Sequence, residues 1–176
     1  MIPRKFMIDE PTKAREGQQA ALDALAALDY TSTRGVSLSG PTGRGKSYLA
    51  GVWSWKMYGN TLKYRVDFAD WRELCEYARC RYLDGDDGDE ARKAIKVAQQ
   101  AHVLVLDDFG AGRVTDVIVD LADSLLDYRI QHDYLTVVTT NMGAEEMLAK
   151  FGDRVVSRLA GLCDDVAVGG KDWRLV

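Results

Sequence analysis

The sequence of 176 residues has few of the side chains that bind soft metals. It contains three cysteines and two histidines, and it has neither a CxxC pair nor histidines at ligand spacing. A metal site built on cysteine and histidine is therefore not expected. We interpret Cys75, Cys80 and Cys163 as reduced, structural thiols.

Long apolar runs are also absent, and the first residues, MIPRKFMIDEP, lack the hydrophobic core of a signal sequence. We therefore expect a cytoplasmic protein. With 47% hydrophobic and 28% charged residues, the chain suits one globular domain with a buried core. The net charge of −4 means that contact with nucleic acid requires a local basic patch.

The hydrophobic pattern alternates between strand and helix periods, which is typical of an α/β protein with a parallel sheet. Strands are predicted at 36–39, 62–68, 103–106 and 135–140, helices at 20–28, 46–58, 68–82, 91–100, 117–130, 144–150 and 154–159, and a terminal pair of short elements around Val166 and Leu175. The acidic segment 84–89, DGDDGD, is predicted to be an exposed loop.

The segment 40–47, GPTGRGKS, matches the phosphate-loop pattern G-x-x-x-x-G-K-[ST]. Its glycines let the backbone curl around phosphate oxygens, Lys46 is placed to reach the β- and γ-phosphates, and Ser47 offers a hydroxyl to Mg²⁺. A glycine turn that only caps a helix is the alternative, but the motif is complete and lies between a strand and a helix. The predicted nucleotide-binding residues here are Gly40, Pro41, Thr42, Gly43, Arg44, Gly45, Lys46, Ser47 and Tyr48.

Polar side chains also follow two other predicted strands. Asp107 and Asp108 come directly after strand 103–106, and ligands of open α/β sheets bind at the carboxyl ends of the strands. Asp107 is therefore predicted to hold Mg²⁺, and Asp108 to orient or deprotonate the attacking water. Asn141 follows strand 135–140 and is suited to positioning that water. Solvated turn residues are the alternative for all three.

In this order, GPTGRGKS, VLVLDDFG, VVTTNM and GDRVVSRL resemble the AAA+ ATPases, and specifically the DnaC/DnaI-type loaders of bacterial replicative helicases. IstB-type transposition helpers carry similar motifs. The resemblance implies a three-layer αβα P-loop fold of the additional-strand type, without a helical lid. Its central parallel sheet would place the Asn141 strand between the phosphate-loop strand and the Asp107 strand. Residues 1–34 would form an N-terminal extension and helix, and 35–176 the ATPase core.

The resemblance also implies roles for three arginines. Arg158 would be an arginine finger that enters the ATP site of a neighbouring subunit, so that the working unit is a self-assembled oligomer. Arg174, in KDWR, would contact nucleotide in its own subunit. Arg154 lies one turn before Arg158 and either assists it or is the solvated partner of Asp153.

In this family an extra helical element before Asp107 lines a channel for single-stranded DNA. Arg79, Arg81 and Tyr82 fall in that region, and arginines beside aromatics suit phosphate contact and base stacking. Alternatively, Tyr82 belongs to an apolar helical stripe and is part of the core. Arg113 and Thr115 are secondary DNA candidates.

These residues lead to one principal function and several alternatives. The principal one is an ATPase that uses ATP and Mg²⁺, binds single-stranded DNA and loads a DnaB-like replicative helicase. An IstB-like helper on duplex DNA and a nucleotide-switched scaffold with little hydrolysis are alternatives. Asp108, where many AAA+ enzymes have Glu, predicts slow hydrolysis. A small-molecule kinase is disfavoured because no arginine-rich lid is evident.

Overall fold

The computed structural model describes residues 2–7, 14–59 and 63–175, in which strands and helices alternate. A short 3-10 helix, Arg4–Phe6, is followed by α1 Gln19–Ala26, β1 Gly35–Ser39, α2 Lys46–Gly59, β2 Val66–Asp70, α3 Trp71–Cys80, α4 Asp86–Gln100, β3 Val103–Asp107, α5 Asp116–Gln131, β4 Leu135–Thr140, α6 Ala144–Leu162 and β5 Cys163–Ala167. Most of the predicted elements are therefore confirmed within one or two residues.

The five strands form one sheet in the order β2-β3-β4-β1-β5, and all neighbouring strands are parallel. β4 lies between β1 and β3, as the resemblance implied. All six residues of β4 are buried, because helices cover both faces of the sheet. The carboxyl ends of β1, β3 and β4 consequently meet at one edge.

Apolar clusters fill both faces of the sheet. Along β3, Leu104 and Leu106 pack toward α3, α4, α5 and α6, whereas Val103 and Val105 pack toward α1 and α2. The described part of the N-terminal region joins the second cluster through the side chain of Phe6. The molecule is a three-layer αβα P-loop fold, which confirms the predicted class, and no helical lid follows β5 in the described residues.

The predicted boundary between the second strand and its helix is wrong. β2 extends to Asp70, where prediction ended it at residue 68, and α3 covers only Trp71–Cys80; Leu62 lies outside the described residues. The reason is a helix cap, because the Asp70 carboxylate accepts hydrogen bonds from the backbone N–H groups of Arg72 and Glu73. Tyr82 follows the helix and is 74% exposed, so its interpretation as a core residue is wrong.

The acidic segment 84–89 is only partly the loop that we expected. Helix α4 begins at Asp86, and Asp86, Asp87 and Asp89 lie in its first turn. Carboxylates there interact favourably with the positive end of the helix dipole, so the same charges that predict a loop also stabilise a helix start. Gly85, with φ of 84°, makes the turn into the helix.

Near the C-terminus the predicted pair of short helices is confirmed. α6 is interrupted at Gly152, which has φ of 77° and ψ of 169°, so two helical pieces meet at a kink. Val166 lies in β5, as expected for a terminal element, but Leu175 belongs to no strand. Among the described residues, no helix has the length and apolar character needed to cross a membrane.

Arg129 ties three elements together at the sheet edge opposite the phosphate loop. Its fully buried guanidinium donates hydrogen bonds to the carbonyls of Ala98, Gln99, Ala101 and Leu135 and to the Thr136 hydroxyl. Three of these carbonyls lie at the C-terminal end of α4, where the helix dipole favours a cation. Burial lowers the pKa of Arg129 to about 9, which leaves it charged at neutral pH.

Replacing Arg129 by Ala should lower the free energy of unfolding by about 3 kcal/mol or more, because buried carbonyl acceptors would lose their donor and a cavity would form. The urea midpoint of unfolding measures this change. Lys96→Ala, at an exposed site on α4, is the matched control and should change stability by less than about 0.5 kcal/mol. A loss below about 1 kcal/mol in Arg129→Ala would contradict the structural role assigned to this residue.

Candidate nucleotide-binding site

A cavity of about 700 Å³ opens at the carboxyl edge of the sheet, between the β1–α2 loop and the ends of β3 and β4. Ten of the predicted site residues line it: Thr42, Gly43, Gly45, Lys46, Ser47, Tyr48, Asp107, Asp108, Asn141 and Arg174. Gly40, Pro41 and Arg44 belong to the same loop but are not among the lining residues. Arg158 lies elsewhere.

Three glycines give the β1–α2 loop its shape. Gly40, Gly43 and Gly45 have φ values of 134°, 80° and 85°, a region that side chains of L-residues rarely adopt. Space is restricted as well, since a Cβ at Gly40 would lie 2.6 Å from the Val168 carbonyl oxygen. The spacing of glycines in the motif therefore matches positions where the backbone requires them.

The ammonium of Lys46 occupies the centre of the site. It donates hydrogen bonds to the carbonyls of Gly40 at 2.6 Å and Pro41 at 2.8 Å, and to Asn141 Oδ1 at 2.6 Å. Burial lowers the pKa of Lys46, while the nearby carboxylates of Asp108 and Asp107 oppose that shift. The positive charge is thus held beside the loop by oxygen acceptors that phosphate oxygens can replace.

β4 orients both acids at the end of β3. The Thr139 hydroxyl donates to Asp107 Oδ1 at 2.6 Å and accepts from the backbone N–H of Asp108 at 2.9 Å. The Asn141 amide donates to Asp108 Oδ1 at 2.8 Å. Asp108 has φ of 56°, the left-handed region that Asp tolerates better than most residues. Asn141 therefore joins Lys46 to Asp108 through one side chain.

The cavity offers the ligands that a magnesium–nucleotide complex requires. The Ser47 hydroxyl and the Asp107 carboxylate both line it, and both are hard oxygen donors of the kind that Mg²⁺ prefers. The described residues contain no group of three side chains able to hold a metal alone. Mg²⁺ is usually held by one or two protein ligands together with water and phosphate oxygens, and Ser47 and Asp107 would be two such ligands.

The sequence analysis missed a wall of the cavity that the two ends of the chain supply. Gln18 Nε2 donates to the Arg44 carbonyl at 2.8 Å, and the backbone N–H of Trp173 donates to the Gly43 carbonyl at 3.0 Å. The Arg15 guanidinium lies over the Trp173 ring, 4.9 Å from its centroid. Other missed lining residues are Lys5, Phe6, Asp70, Arg72 and Thr139. Of these residues, Trp173 and Thr139 belong to sequence motifs, KDWR and VVTTNM, from which roles were predicted for Arg174 and Asn141 only.

Arg158 does not line the cavity. One of its terminal nitrogens contacts Asp123 and the other lies 2.7 Å from Asp127, both on α5. Arg154 also pairs with Asp123, at 3.0 Å, and it is not the partner of Asp153 that one alternative suggested. The prediction that Arg158 acts on a neighbouring subunit stays a prediction.

The DNA candidates belong to two segments of the chain, one at the end of α3 and one just before α5. Arg79 forms an ion pair with Glu76, and the Arg81 guanidinium lies over the Tyr82 ring, 4.7 Å from its centroid, at the turn between α3 and α4. Arg113 and Thr115 are exposed in the loop between β3 and α5. Contact of either group with DNA stays a prediction.

Comparison with solved structures agrees with the fold. The DnaC helicase loader is 21% identical over 95% of this chain and 100% of that chain, with a TM-score of 0.78. DnaI is 18% identical over 95% and 94%, with a TM-score of 0.77. The replication initiator DnaA bound to AMPPCP and single-stranded DNA is 16% identical over 90% and 48%, with a TM-score of 0.72. Such identities establish a shared fold.

Sequence comparison assigns the family. A search of the curated proteins found no match. The family model of the IstB-like ATP binding protein matches residues 6–176, nearly the whole chain and every residue that lines the cavity except Lys5. The chain therefore belongs to the IstB-like ATP binding proteins, an AAA+ ATPase family whose fold it shares with DnaC and DnaI.

Proposed function

We propose that the protein is a cytoplasmic, Mg²⁺-dependent ATPase that assembles on single-stranded DNA and loads a DnaB-like replicative helicase. The observation that carries the ATPase proposal is the chain of contacts from Lys46 through Asn141 to Asp108 beside a glycine loop. The likeness to DnaC and DnaI supports the loader role, and the likeness to a DnaA structure with bound single-stranded DNA supports DNA binding.

Each residue of the chain of contacts has a chemical task in this proposal. Lys46 exchanges carbonyl oxygens for phosphate oxygens and neutralises charge that develops on the γ-phosphate. Asn141 and Asp108 hold the attacking water, and Asp108 accepts its proton. Ser47 and Asp107 would hold Mg²⁺, which would supply neutralisation of the charge on the β- and γ-phosphates. Thr139 keeps the Asp107 carboxylate in place.

The catalytic site of one subunit is incomplete in this proposal. Apart from Lys46, the cationic side chains that line the cavity come from the chain ends and from α3: Lys5, Arg15, Arg72 and Arg174. Arg158 is on α6, paired with Asp127 of α5, and does not line this cavity, so in the proposal it serves the site of another molecule. A planar guanidinium from a neighbour would match the charge of the transferring phosphoryl group.

The family assignment supports a second candidate function. The chain belongs to the IstB-like ATP binding proteins. If it is a transposition helper, as the alternative in the sequence analysis has it, it would bind duplex DNA. The two candidates differ in the DNA that they prefer. The exposed Tyr82 ring beside the half-buried Arg81 suits stacking on unpaired bases, as a loader on single-stranded DNA requires. Strong preference for duplex DNA would favour the helper and contradict the loader.

Substitution of Lys46 should separate binding from hydrolysis. Lys46→Ala should weaken ATP binding by about 10- to 100-fold, because one charge-assisted contact to phosphate is lost. Asp108→Asn should leave ATP affinity within about 3-fold and slow phosphate release by about 100-fold or more, because the proton acceptor is lost. Titration calorimetry and a phosphate-release assay measure the two effects.

Lys56→Ala is the control for the loss of a lysine, since Lys56 is exposed on the same helix. It should bind and hydrolyse ATP as the unmodified protein does. Unchanged ATP affinity in Lys46→Ala would refute the site. Hydrolysis that is absent in the unmodified protein, with ATP binding intact, would favour the nucleotide-switched scaffold.

A mixing experiment tests whether Arg158 acts between subunits. Arg158→Ala should lower the ATPase rate by about 10³-fold or more at high protein concentration. Mixing it with inactive Lys46→Ala should restore part of the activity, because one variant contributes an intact cavity and the other an intact Arg158. Arg158→Lys keeps the charge without the planar fork and should remain slow. No recovery in the mixture would exclude a shared site.

The turn between α3 and α4 provides the test of DNA binding. Combined replacement of Arg81 and Tyr82 by Ala should weaken binding of a single-stranded oligonucleotide by about 10- to 100-fold, because stacking and a phosphate contact are lost. Fluorescence anisotropy measures the affinity, with duplex of the same sequence as the comparison. Tyr58→Ala removes another exposed tyrosine, on α2, and should have no effect. Equal affinity of the double variant would place the DNA site elsewhere.

A further inference from the structure

Arg158 is held by its own chain. Its side chain is 19% exposed, and its two terminal nitrogens contact the carboxylates of Asp123 and Asp127. The same Asp123 also pairs with Arg154, so four charged groups form one cluster between α5 and α6. Asp127 has one further partner, the side-chain amide of Gln131 at 2.7 Å.

In this cluster, Asp123 and Asp127 occupy the two terminal nitrogens that Arg158 would need in order to bind a phosphoryl group. A guanidinium recognises a phosphoryl group through the same terminal nitrogens that here face Asp123 and Asp127. An arginine that serves a neighbouring site must therefore leave at least one of these carboxylates first. Asp127 is the more accessible of the two, with a side chain that is 38% exposed against 19% for Asp123.

We propose that Asp123 and Asp127 are positioning residues that hold Arg158 in a latched state within the subunit, and that contact with the ATP site of a neighbour releases it. The inference rests on the proposed role of Arg158 between subunits. The latched state makes each subunit less competent for assembly, since only the fraction with a free Arg158 completes a neighbouring site. Bound ATP and the two aspartates then compete for one guanidinium.

The strength of the ion pairs allows Arg158 to change partners. The two carboxylates are partly exposed, so solvent weakens their attraction for Arg158 below that of a fully buried pair. A triphosphate offers more negative charge and bidentate acceptors to the same fork. Arg158 therefore favours phosphate over aspartate when a neighbour with bound nucleotide is present. When no such neighbour is present, Arg158 pairs again with the aspartates.

The test measures the ATPase rate per subunit as a function of protein concentration, with Mg²⁺, ATP and a single-stranded oligonucleotide present. Asp127→Asn should lower the protein concentration of half-maximal activity by about 3- to 10-fold, because more Arg158 is free, without lowering the maximal rate. Asp123→Asn should act in the same direction and is the second variant. Asp127→Glu keeps a carboxylate and should remain close to the unmodified protein.

Asp120→Asn is the matched control, because Asp120 is exposed on the same helix and no ion pair to it is found within the described ranges. It should shift the half-maximal concentration by less than about 2-fold, as expected for an exposed charge without a partner. In an Arg158→Ala background, Asp127→Asn should have no effect on any residual activity or on assembly size measured by light scattering.

Two failures are distinguishable. If Arg158→Ala retains full activity at high concentration, the proposed role between subunits is wrong. If Arg158→Ala is inactive but Asp127→Asn and Asp123→Asn leave the half-maximal concentration unchanged or raise it, the latch is wrong and the cluster only joins α5 to α6. An equal effect of Asp127→Asn with and without Arg158 would likewise overturn the latch.

Discussion

The hydrogen bonds that leave the end of β4 hold the whole site together. Thr139 fixes Asp107 and the backbone of Asp108, and Asn141 links Asp108 to Lys46. This is possible only because β4 lies between β1, which leads into the phosphate loop, and β3, which ends in the acids. Strand order thus determines which side chains share the cavity, and burial of β4 on both faces makes their positions rigid.

The two ends of the sheet use different means of stabilisation. At the phosphate edge, polar side chains bond to one another, and their acceptors can be exchanged for a ligand. At the opposite edge, the buried Arg129 bonds mainly to backbone carbonyls, which no ligand replaces. The Arg129 edge therefore connects helices and strands through contacts that stay in place. At the phosphate-loop edge, the contacts of Lys46 are ones that a bound phosphate could replace.

Most of the residues that line the cavity could be predicted from the sequence, because they belong to recognisable local motifs at the carboxyl ends of predicted strands. The phosphate loop, Asp107 and Asn141 each follow a buried strand, and parallel strands bring such ends together. The predicted start of α3 was wrong because the helix cap at Asp70 outweighs the apolar pattern around it. Gln18 and Trp173 were missed because their contacts join residues 26 and 130 positions apart, which no local spacing reveals.

Among the described residues, Arg158 pairs with carboxylates of its own chain, whereas the hydrogen bonds of Lys46 go to neutral carbonyl and amide oxygens. The difference matters because neutral acceptors give way to phosphate more easily than paired carboxylates do. In the proposed assembly, nucleotide would therefore bind to the separate subunit first, and the charge that it brings would then draw Arg158 from a neighbour. Under that proposal, the charges at the two positions are enough to place nucleotide binding before assembly.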